Sequence, residues 1–308
     1  MKHSSYIERA EKAVSLMLVS HQWDGLNQST VNRWISNFDD PLRYYAWKIL
    51  RHLLYYSEVD IELLLREVLF HNIIGHDVPL RTQVSSAFHS YPCELAWQFA
   101  QELPKTLLVP LMDSSSPSES GPALTRVAMQ KLLYPKTSIV FPDKILCSRL
   151  ENGDFRRVVI IDDNSGTGDQ FRKFWTTTRF MDNSDLLSDV LPQLSIPIYY
   201  AVLIMPEATR RDLQAEIPNV TFKAAQVLTA EDEVFAAASR YWENDDELHK
   251  ARVDMESHLN KFGIPLLGYR DHSFAVTLHH TIPDWSLPML WRGVNGWNPL
   301  IARKNTNA

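Results

Sequence analysis

An apolar strand that ends in two adjacent carboxylates and a run of small residues limits the folds open to this chain. The stretch VVIIDDNSGTGDQFRKFW, residues 158–175, passes from an apolar run to Asp162 and Asp163, then to a small-residue loop and a helical pattern. An unbroken apolar strand is typical of the parallel sheets of α/β proteins, which are buried on both faces. Ligands bind such sheets at the carboxyl ends of strands, where this acid pair lies. The stretch therefore predicts an α/β domain with a ligand site.

Strand and helix patterns alternate from about residue 106 onward. Apolar runs predict strands at TLLVPLM, TSIVF, RRVVII, IPIYYAVLIM and FAVTLHH, and helical spacing predicts a helix at ALTRVAMQKLL. This alternation predicts a mainly parallel α/β sheet, in a domain that we expect to cover residues 104–308. An acidic, helix-rich stretch near residues 230–262 is expected to be an insertion in that domain.

The first hundred residues show helical periodicity instead. Asp40 before Pro41 predicts an N-cap followed by proline at the first helical position. Ser57, with Asp60 three residues later, predicts a second helix start through a variant of the capping box. We therefore expect a helical N-terminal module over residues 1–103.

This N-terminal module has two possible roles, DNA reading as a winged helix or docking to a partner. The stretch NQSTVNRWISNF provides a capped, polar helix start that carries Arg33. Arg33 lacks the neighbouring cations that phosphate contacts need, and the formal net charge of −6 supplies no general attraction for nucleic acid. Docking is the favoured prediction.

Cysteine usage and hydropathy bear on metal content and location. Cys93 and Cys147 belong to no CxxC or Cys/His cluster, so we expect no metal site built by the protein itself. No stretch approaches the about 20 apolar residues of a membrane span. We expect a cytoplasmic protein that is not inserted in a membrane.

The small-residue loop after the acid pair has the composition of a phosphate cradle. Its glycines allow backbone N–H groups to turn inward around an anion, and the following helix directs its N-terminal dipole at the same place. Carboxylates at the strand end can accept hydrogen bonds from vicinal hydroxyls, which suits a ribose. The candidate catalytic residues are thus Asp162 and Asp163, and the candidate ligand-binding residues of the loop are Asn164, Ser165, Gly166, Thr167, Gly168 and Asp169.

Other loop chemistries fail on spacing. A calcium loop that begins at Asp163 would need a glutamate at its twelfth position, where the chain has Phe174. The chain also lacks residues that a Walker A loop and a dinucleotide fingerprint require. The remaining alternative is an ordinary turn in which Asp169 caps the helix that starts at Gln170.

The stretch VVIIDDNSGTG resembles the phosphoribosyl-diphosphate signature of type I phosphoribosyltransferases. Asp162 and Asp163 match its acid pair, and Thr167 and Gly168 match its Thr-Gly. The resemblance implies that the acids bind ribose hydroxyls and that the loop holds the 5-phosphate. It also implies that Mg²⁺, bound through a diphosphate ligand, assists the loss of pyrophosphate.

A wider pattern covers nearly the whole chain. WISNF and HLLYYSEVDIELLLREV, then GTGDQF, IPLLGY and TIPDWSLPMLW, resemble the phosphoribosyltransferase-like effectors of bacterial anti-phage systems such as retrons. This resemblance implies a toxic or nucleotide-directed activity without naming a substrate, and the nucleotide or phosphoribosyl ligand is implied by the signature. The wider resemblance also implies a defence-system partner, either a protein or a ribonucleoprotein of reverse transcriptase with its RNA and DNA.

Two departures from the enzymatic pattern leave the activity open. Asp169 and Gln170 stand where the family usually continues Gly-Thr, and the early loop DSSSPSESGP contains no cation. The protein is therefore either a transferase or nucleotide glycosyl-cleaving enzyme, a non-catalytic nucleotide sensor, or a nucleic-acid-associated protein with a structural α/β domain. In the early loop, the candidate ligand-binding residues are Ser114, Ser115 and Ser116.

Residues further along the chain are weaker candidates for the site. Trp285 and Trp291 are expected to pack in the core, in preference to a base-stacking role for Trp285. One of His279 and His280 is expected to face inward as a core histidine, by strand alternation. Glu207 ends a predicted strand and has no identifiable partner.

Overall fold

The computed structural model describes residues 2–75, 97, 99–112 and 120–303. Its helices, in chain order, are α1 Lys2–Val19, α2 Gln28–Ile35, α3 Leu42–Arg51, α4 Glu58–Arg66, α5 Ser120–Lys131, α6 Cys147–Glu151, α7 Asp169–Thr177, α8 Leu187–Val190, α9 Glu207–Glu216 and α10 Asp245–Asn260. A π-helical segment, Glu67–Ile74, continues α4. The strands are β1 Leu54–Tyr56, β2 Thr106–Pro110, β3 Arg157–Asn164, β4 Ile198–Pro206, β5 Thr221–Leu228 and β6 Val276–Leu278.

The chain divides into two compact units. The terminal unit comprises Met1–Ile61 and Leu228–Ala308, and the central unit comprises Glu62–Val227. This division differs from the predicted boundary near residue 103, because C-terminal segments complete the core around the N-terminal helices. The indole of Trp34, for example, donates to the Met289 carbonyl at 2.8 Å.

Two of the predicted helix starts have different outcomes. The capping box at Ser57 is confirmed, since its amide and hydroxyl donate to the Asp60 carboxylate at 2.9 and 2.6 Å. The predicted N-cap at Asp40 is wrong. Pro41 occupies the cap position of α3, and no side chain caps that helix. A proline ring has no side-chain acceptor, so the first amides of α3 lack such a partner.

A buried ion pair joins α3 and α10 in the terminal unit. The Lys48 ammonium lies 2.6 Å from a Glu247 carboxylate oxygen, and their side chains are only 4% and 17% exposed. Burial raises the pKa of Glu247, but the Glu243 amide and the Lys48 ammonium together hold that pKa below its ordinary value. The Tyr44 hydroxyl donates to the same carboxylate at 3.0 Å. The pair is thus satisfied on several sides, as a buried charge requires.

The central unit is built on a sheet with strand order β2-β3-β4-β5. β3 pairs with both β2 and β4 in parallel register, which confirms the prediction of a parallel sheet. Two predicted strands are wrong in extent or place. TSIVF forms a short 3₁₀ turn and a single bridge at Ile139, and only Val276–Leu278 of FAVTLHH is a strand, paired with β1 in the terminal unit.

Both faces of this sheet are covered. Alternate strand residues, among them Val158, Ile160 and Tyr200, share one core cluster with side chains of α7 and α9. The intervening residues Val159 and Ile161 are also buried, and α5 packs against β2 and β3. Full burial explains why β2, β3 and β4 are continuous apolar runs. Polar side chains that contact a ligand can then be placed at the carboxyl ends of these strands.

Candidate ligand site at the carboxyl edge of the sheet

The candidate site lies where β3 ends. Asp162 and Asp163 directly precede Asn164, the last residue of this strand, and the loop of residues 165–168 leads directly into α7. The neighbouring strand β4 passes without a loop into α9, so that α9 also begins at this edge. Because β3 lies between two parallel partners, its end is the centre of the edge where ligands of open α/β sheets bind.

Both carboxylates of the acid pair are buried, at 2% exposure each. The Ser120 hydroxyl, at the start of α5, donates to Asp162 Oδ1 at 2.7 Å, and the Asp163 amide donates to the same oxygen at 2.9 Å. The Asn164 side chain donates to Asp163 Oδ1 at 2.8 Å. Successive side chains of a strand point to opposite faces, so a ligand that contacts both acids lies across the strand end.

A buried tyrosine lies beneath the acid pair. Tyr200 on β4 is paired in register with Ile160, two residues before Asp162 on the same face. Burial raises the pKa of Tyr200 well above its ordinary value, and the Asp162 charge raises it further. The phenol therefore stays neutral, and it stacks on Phe171 of α7 at 4.2 Å between ring centroids. This stack joins α7 to the strand that adjoins the acids.

Gly168 makes the turn from the loop into α7. Its φ of 78° lies in the left-handed region, where a residue without Cβ is favoured. A Cβ at this position would also lie 2.8 Å from both δ-carbons of Leu213 on α9. Conformation and close packing therefore both require glycine here, which is a structural reason for the Thr-Gly of the motif.

The predicted capping role of Asp169 is wrong. α7 begins at Asp169 itself, Gly168 takes the cap position, and no side chain caps the helix. The Asp169 carboxylate instead lies 3.3 Å from the Arg172 guanidinium, one turn along the helix. Arg172 also donates to the Thr167 carbonyl at 2.7 Å and to the Glu216 carboxylate at 2.7 Å. The loop, α7 and α9 thus converge on one cation.

The structure brings most of the predicted site residues together. Asp162 to Asp169 form one continuous strand end, loop and helix start, and their assignment as ligand-binding or catalytic residues stays a prediction. Ser114, Ser115 and Ser116 lie outside the described residues. The next described residue of that connection is Ser120, whose hydroxyl contacts Asp162.

Three contacts at this edge were not predicted from the sequence. They are those of Ser120 with Asp162, of Arg172 with the Thr167 carbonyl, and of the Thr209 hydroxyl with the Gly166 carbonyl. Arg172 lies inside the quoted motif, only five residues after Thr167. Ser120 belongs to the early loop DSSSPSESGP, which was predicted to face a diphosphate, and Thr209 comes from a segment with no local signal.

Of the weaker candidates, Glu207 is the first residue of α9, whereas the two tryptophans and the two histidines belong to the terminal unit. Trp285 and Trp291 are buried at 2% and 9% exposure, which confirms their expected packing role. The prediction of an inward histidine is wrong, because β6 ends at Leu278 and both His279 and His280 are exposed in the turn that follows. Strand alternation no longer applies beyond that end.

Two further features bear on cofactors and location. Within the described part of the chain, no group of three or more His, Cys, Asp or Glu side chains could hold a metal ion. The arrival of Mg²⁺ through a diphosphate ligand stays a prediction. The described helices include none with the length and apolar character of a membrane span.

Comparison with known proteins identifies a family. The sequence model of the PRTase-CE family matches residues 31–303 of this chain. The parallel α/β architecture with its N-terminal helices agrees with the predicted phosphoribosyltransferase-like fold. No curated protein matches.

One similar solved structure is the AQ2163 protein from Aquifex aeolicus. It is 13% identical with a TM-score of 0.28, and the match covers 42% of this chain and 57% of that one. This chain therefore spans little more than half the length of that protein.

Proposed function

This chain belongs to the PRTase-CE family, and we propose that its central unit binds a ribose 5-phosphate or nucleotide ligand across the carboxyl end of β3. The observation that carries the proposal is the acid pair of β3 joined, through a loop closed by Gly168, to the start of α7. Carboxylates that can accept hydrogen bonds from ribose hydroxyls are thereby adjacent to a phosphate-binding turn, as a phosphorylated ribose requires.

The roles of the residues follow from their chemistry. Asp162 and Asp163 accept hydrogen bonds from the ribose hydroxyls, since ionised carboxylates act only as acceptors. Backbone amides of the loop and the hydroxyl of Thr167 donate to the 5-phosphate, with the α7 dipole adding attraction for the anion. Asn164 and Ser165 supply further polar groups at the strand end. Ser114, Ser115 and Ser116 are proposed to contact a diphosphate, whose charge Mg²⁺ neutralises.

The proposed reaction is transfer or cleavage at the anomeric carbon. The bond from that carbon to the leaving diphosphate or base breaks, and the leaving group keeps the electron pair. A lone pair of an acceptor or of water then forms the new bond to carbon, and the proton of that acceptor or water is lost to the leaving group or to solvent. Asp162 and Asp163 hold the ribose while positive charge develops on the ring, and this charge is stabilised by the two nearby anions.

A non-catalytic sensor is the second candidate, favoured by the surroundings of Arg172. This guanidinium touches the loop but is shared with the carboxylates of Asp169 and Glu216. Its charge is therefore already compensated by protein carboxylates, and it adds little positive charge to a site that would have to release a diphosphate in an enzyme. In a sensor, the same pocket binds a nucleotide unchanged and reports its occupancy to a partner.

We further propose a role in anti-phage defence, in the cytoplasm, with a protein or reverse-transcriptase ribonucleoprotein as the partner. The resemblance of the whole chain to retron-associated effectors supports this role, and the terminal unit supplies helical surface for docking. Expression of the chain with and without a co-encoded retron would test it. Protection against phage that is lost in an Asp162→Asn, Asp163→Asn variant is the expected result.

The binding proposal is tested with the double variant Asp162→Asn, Asp163→Asn. Its neutral amides keep the shape of the side chains but remove two anions, so the mutual repulsion disappears and ribose loses its best acceptors. We expect calorimetric binding of phosphoribosyl diphosphate with Mg²⁺ to be abolished while far-UV circular dichroism is unchanged. The matched control is Asp143→Asn, Asp185→Asn, which makes the same charge change at two exposed positions.

Three outcomes of this experiment and of product analysis decide between the proposals. Equal binding by the folded double variant and the control would remove the ribose assignment. Detection of pyrophosphate, free base or a ribosylated product with the wild-type protein would establish an enzyme. Ligand recovered unchanged under all partner conditions would favour the sensor.

A further inference from the structure

Two carbonyl groups of the loop are held by side chains from the helices that follow β3 and β4. The Thr209 hydroxyl, on α9, donates to the carbonyl oxygen of Gly166. The Arg172 guanidinium, on α7, donates to the carbonyl oxygen of Thr167 at 2.7 Å. Consecutive peptide groups of the loop are thus each fixed by one donor.

These bonds determine where the adjoining amides point. In a planar trans peptide, the C=O of one residue and the N–H of the next point in opposite directions. The two peptide bonds concerned are trans, since Asp40–Pro41 is the one cis bond found among the residues that the structure describes. With the Gly166 and Thr167 carbonyls turned to Thr209 and Arg172, the N–H groups of Thr167 and Gly168 point to the opposite side of the loop.

Within the described residues, these two N–H groups donate to no acceptor, whereas the next one does. The Asp169 amide donates to the Thr167 hydroxyl at 3.3 Å, and the backbone bonds of the loop include none from Thr167 or Gly168. Gly168 is buried, and buried backbone donors in folded proteins are nearly always paired. Successive amides that turn inward next to a left-handed residue form an anion-binding concavity.

We infer that Thr209 and Arg172 are positioning residues, which aim the amides of Thr167 and Gly168 at the phosphate of the ligand. The inference rests on the proposed ribose 5-phosphate site and identifies the part of the loop that binds the phosphate group. Arg172 acts through the loop carbonyl and is not a direct phosphate ligand. Its pairing with Asp169 also compensates the charge of that carboxylate, which reduces the repulsion between Asp169 and the phosphate.

A purely structural role for the two side chains makes a different prediction. Arg172 also bonds Glu216, and such a contact can tie α7 to α9 without any effect on ligands. In that case, removal of either donor lowers stability and leaves phosphate recognition intact. Positioning instead predicts a selective loss of affinity for phosphorylated ligands, with chemical shifts of the loop amides altered.

The experiment uses the full chain and five variants. Thr209→Val removes the hydroxyl at constant shape, Thr209→Ser retains it, and Thr177→Val deletes an exposed hydroxyl of α7 that bonds only the Lys173 carbonyl. Arg172→Gln is matched by Arg211→Gln, which removes the same charge from a side chain that is 75% exposed. Calorimetry with ribose 5-phosphate and with unphosphorylated ribose gives the phosphate-dependent part of the affinity.

We expect Thr209→Val and Arg172→Gln each to weaken ribose 5-phosphate binding by about tenfold or more. Thr209→Ser and the two controls should stay within about threefold of wild type. Amide resonances of Thr167 and Gly168 should shift when ribose 5-phosphate is added to the wild type but not when ribose is added.

The possible failures are distinguishable. Wild-type affinity for ribose 5-phosphate in folded Thr209→Val and Arg172→Gln proteins would overturn the positioning roles while the proposed site stands. If Thr209→Val does not fold, Arg172→Gln and the amide resonances decide. If the wild type binds neither ribose 5-phosphate nor phosphoribosyl diphosphate, the proposed function is refuted and the positioning roles with it.

Discussion

Replacement of Gly168 by alanine tests the geometry of the loop most directly. The residue has φ of +78°, and an added Cβ would lie 2.8 to 2.9 Å from three side-chain carbons of Leu213. The left-handed conformation costs alanine about 1 kcal/mol relative to glycine. Overpacking against a well-packed side chain adds about 1–3 kcal/mol. We therefore expect Gly168→Ala to lower the free energy of unfolding by about 2–4 kcal/mol.

The matched control is Gly153→Ala in the same unit. Gly153 has nearly the same φ, +75°, but no atom lies within 4 Å of its added Cβ. It therefore incurs the backbone cost of about 1 kcal/mol and no packing cost. Urea denaturation, followed by tryptophan fluorescence and circular dichroism, measures both variants. The difference between them isolates the contact with Leu213.

A double-mutant cycle identifies the source of this difference. Leu213→Ala by itself opens a cavity and costs about 2–5 kcal/mol. In the Gly168→Ala background the same substitution also relieves the clash, so its cost should be smaller by the packing part. Equal destabilisation by Gly168→Ala and Gly153→Ala, or additive effects in the cycle, would refute the close packing of the loop on α9.

Three further predictions concern the buried ion pair and the Asp169 carboxylate at the start of α7. Lys48→Met leaves the Glu247 carboxylate buried without its cation and should lower the free energy of unfolding by about 3 kcal/mol, measured by urea denaturation. The pKa of Glu247 is lowered in the folded protein, so its contribution is present above the ordinary carboxyl pKa of about 4.3 and is lost as pH falls further. Thermal melts below about pH 4.5 should therefore depend less on pH in Glu247→Gln than in wild type, and parallel acid limbs would contradict this. Asp169→Gly with Gln170→Thr should tighten the binding of phosphoribosyl diphosphate, measured by calorimetry. It should lower the free energy of unfolding by at most about 1 kcal/mol, since the lost ion pair is partly exposed. Unchanged affinity would show that Arg172 already neutralises Asp169.

The sequence by itself determined the central strands and the order of elements at the site. β2, β3 and β4 are buried on both faces, and full burial leaves a continuous apolar run that is legible without a structure. The capping box at Ser57 was equally legible, because donor and acceptor lie three residues apart. These features depend on the local chain or on a pattern that one segment carries alone.

Local rules failed where a competing residue was better placed. Asp169 is a suitable cap by type, but the left-handed turn at Gly168 lets the helix begin one residue earlier. The carboxylate then lies within reach of Arg172, and a charge-assisted contact replaces the cap. FAVTLHH likewise has a strand composition, but only three of its residues find a partner, in β1.

Only the tertiary structure decided which distant side chains complete the site. Ser120 is 42 positions from the aspartate that it contacts, and Thr209 is 43 positions from the carbonyl that it holds. Neither has a sequence signature, because a single hydroxyl becomes specific only when folding places it beside a buried acceptor that water no longer reaches. The packing of the N-terminal helices against C-terminal segments could not be predicted from the sequence for the same reason. An apolar face shows that a segment must be buried, but the segment that covers it is determined by three-dimensional packing.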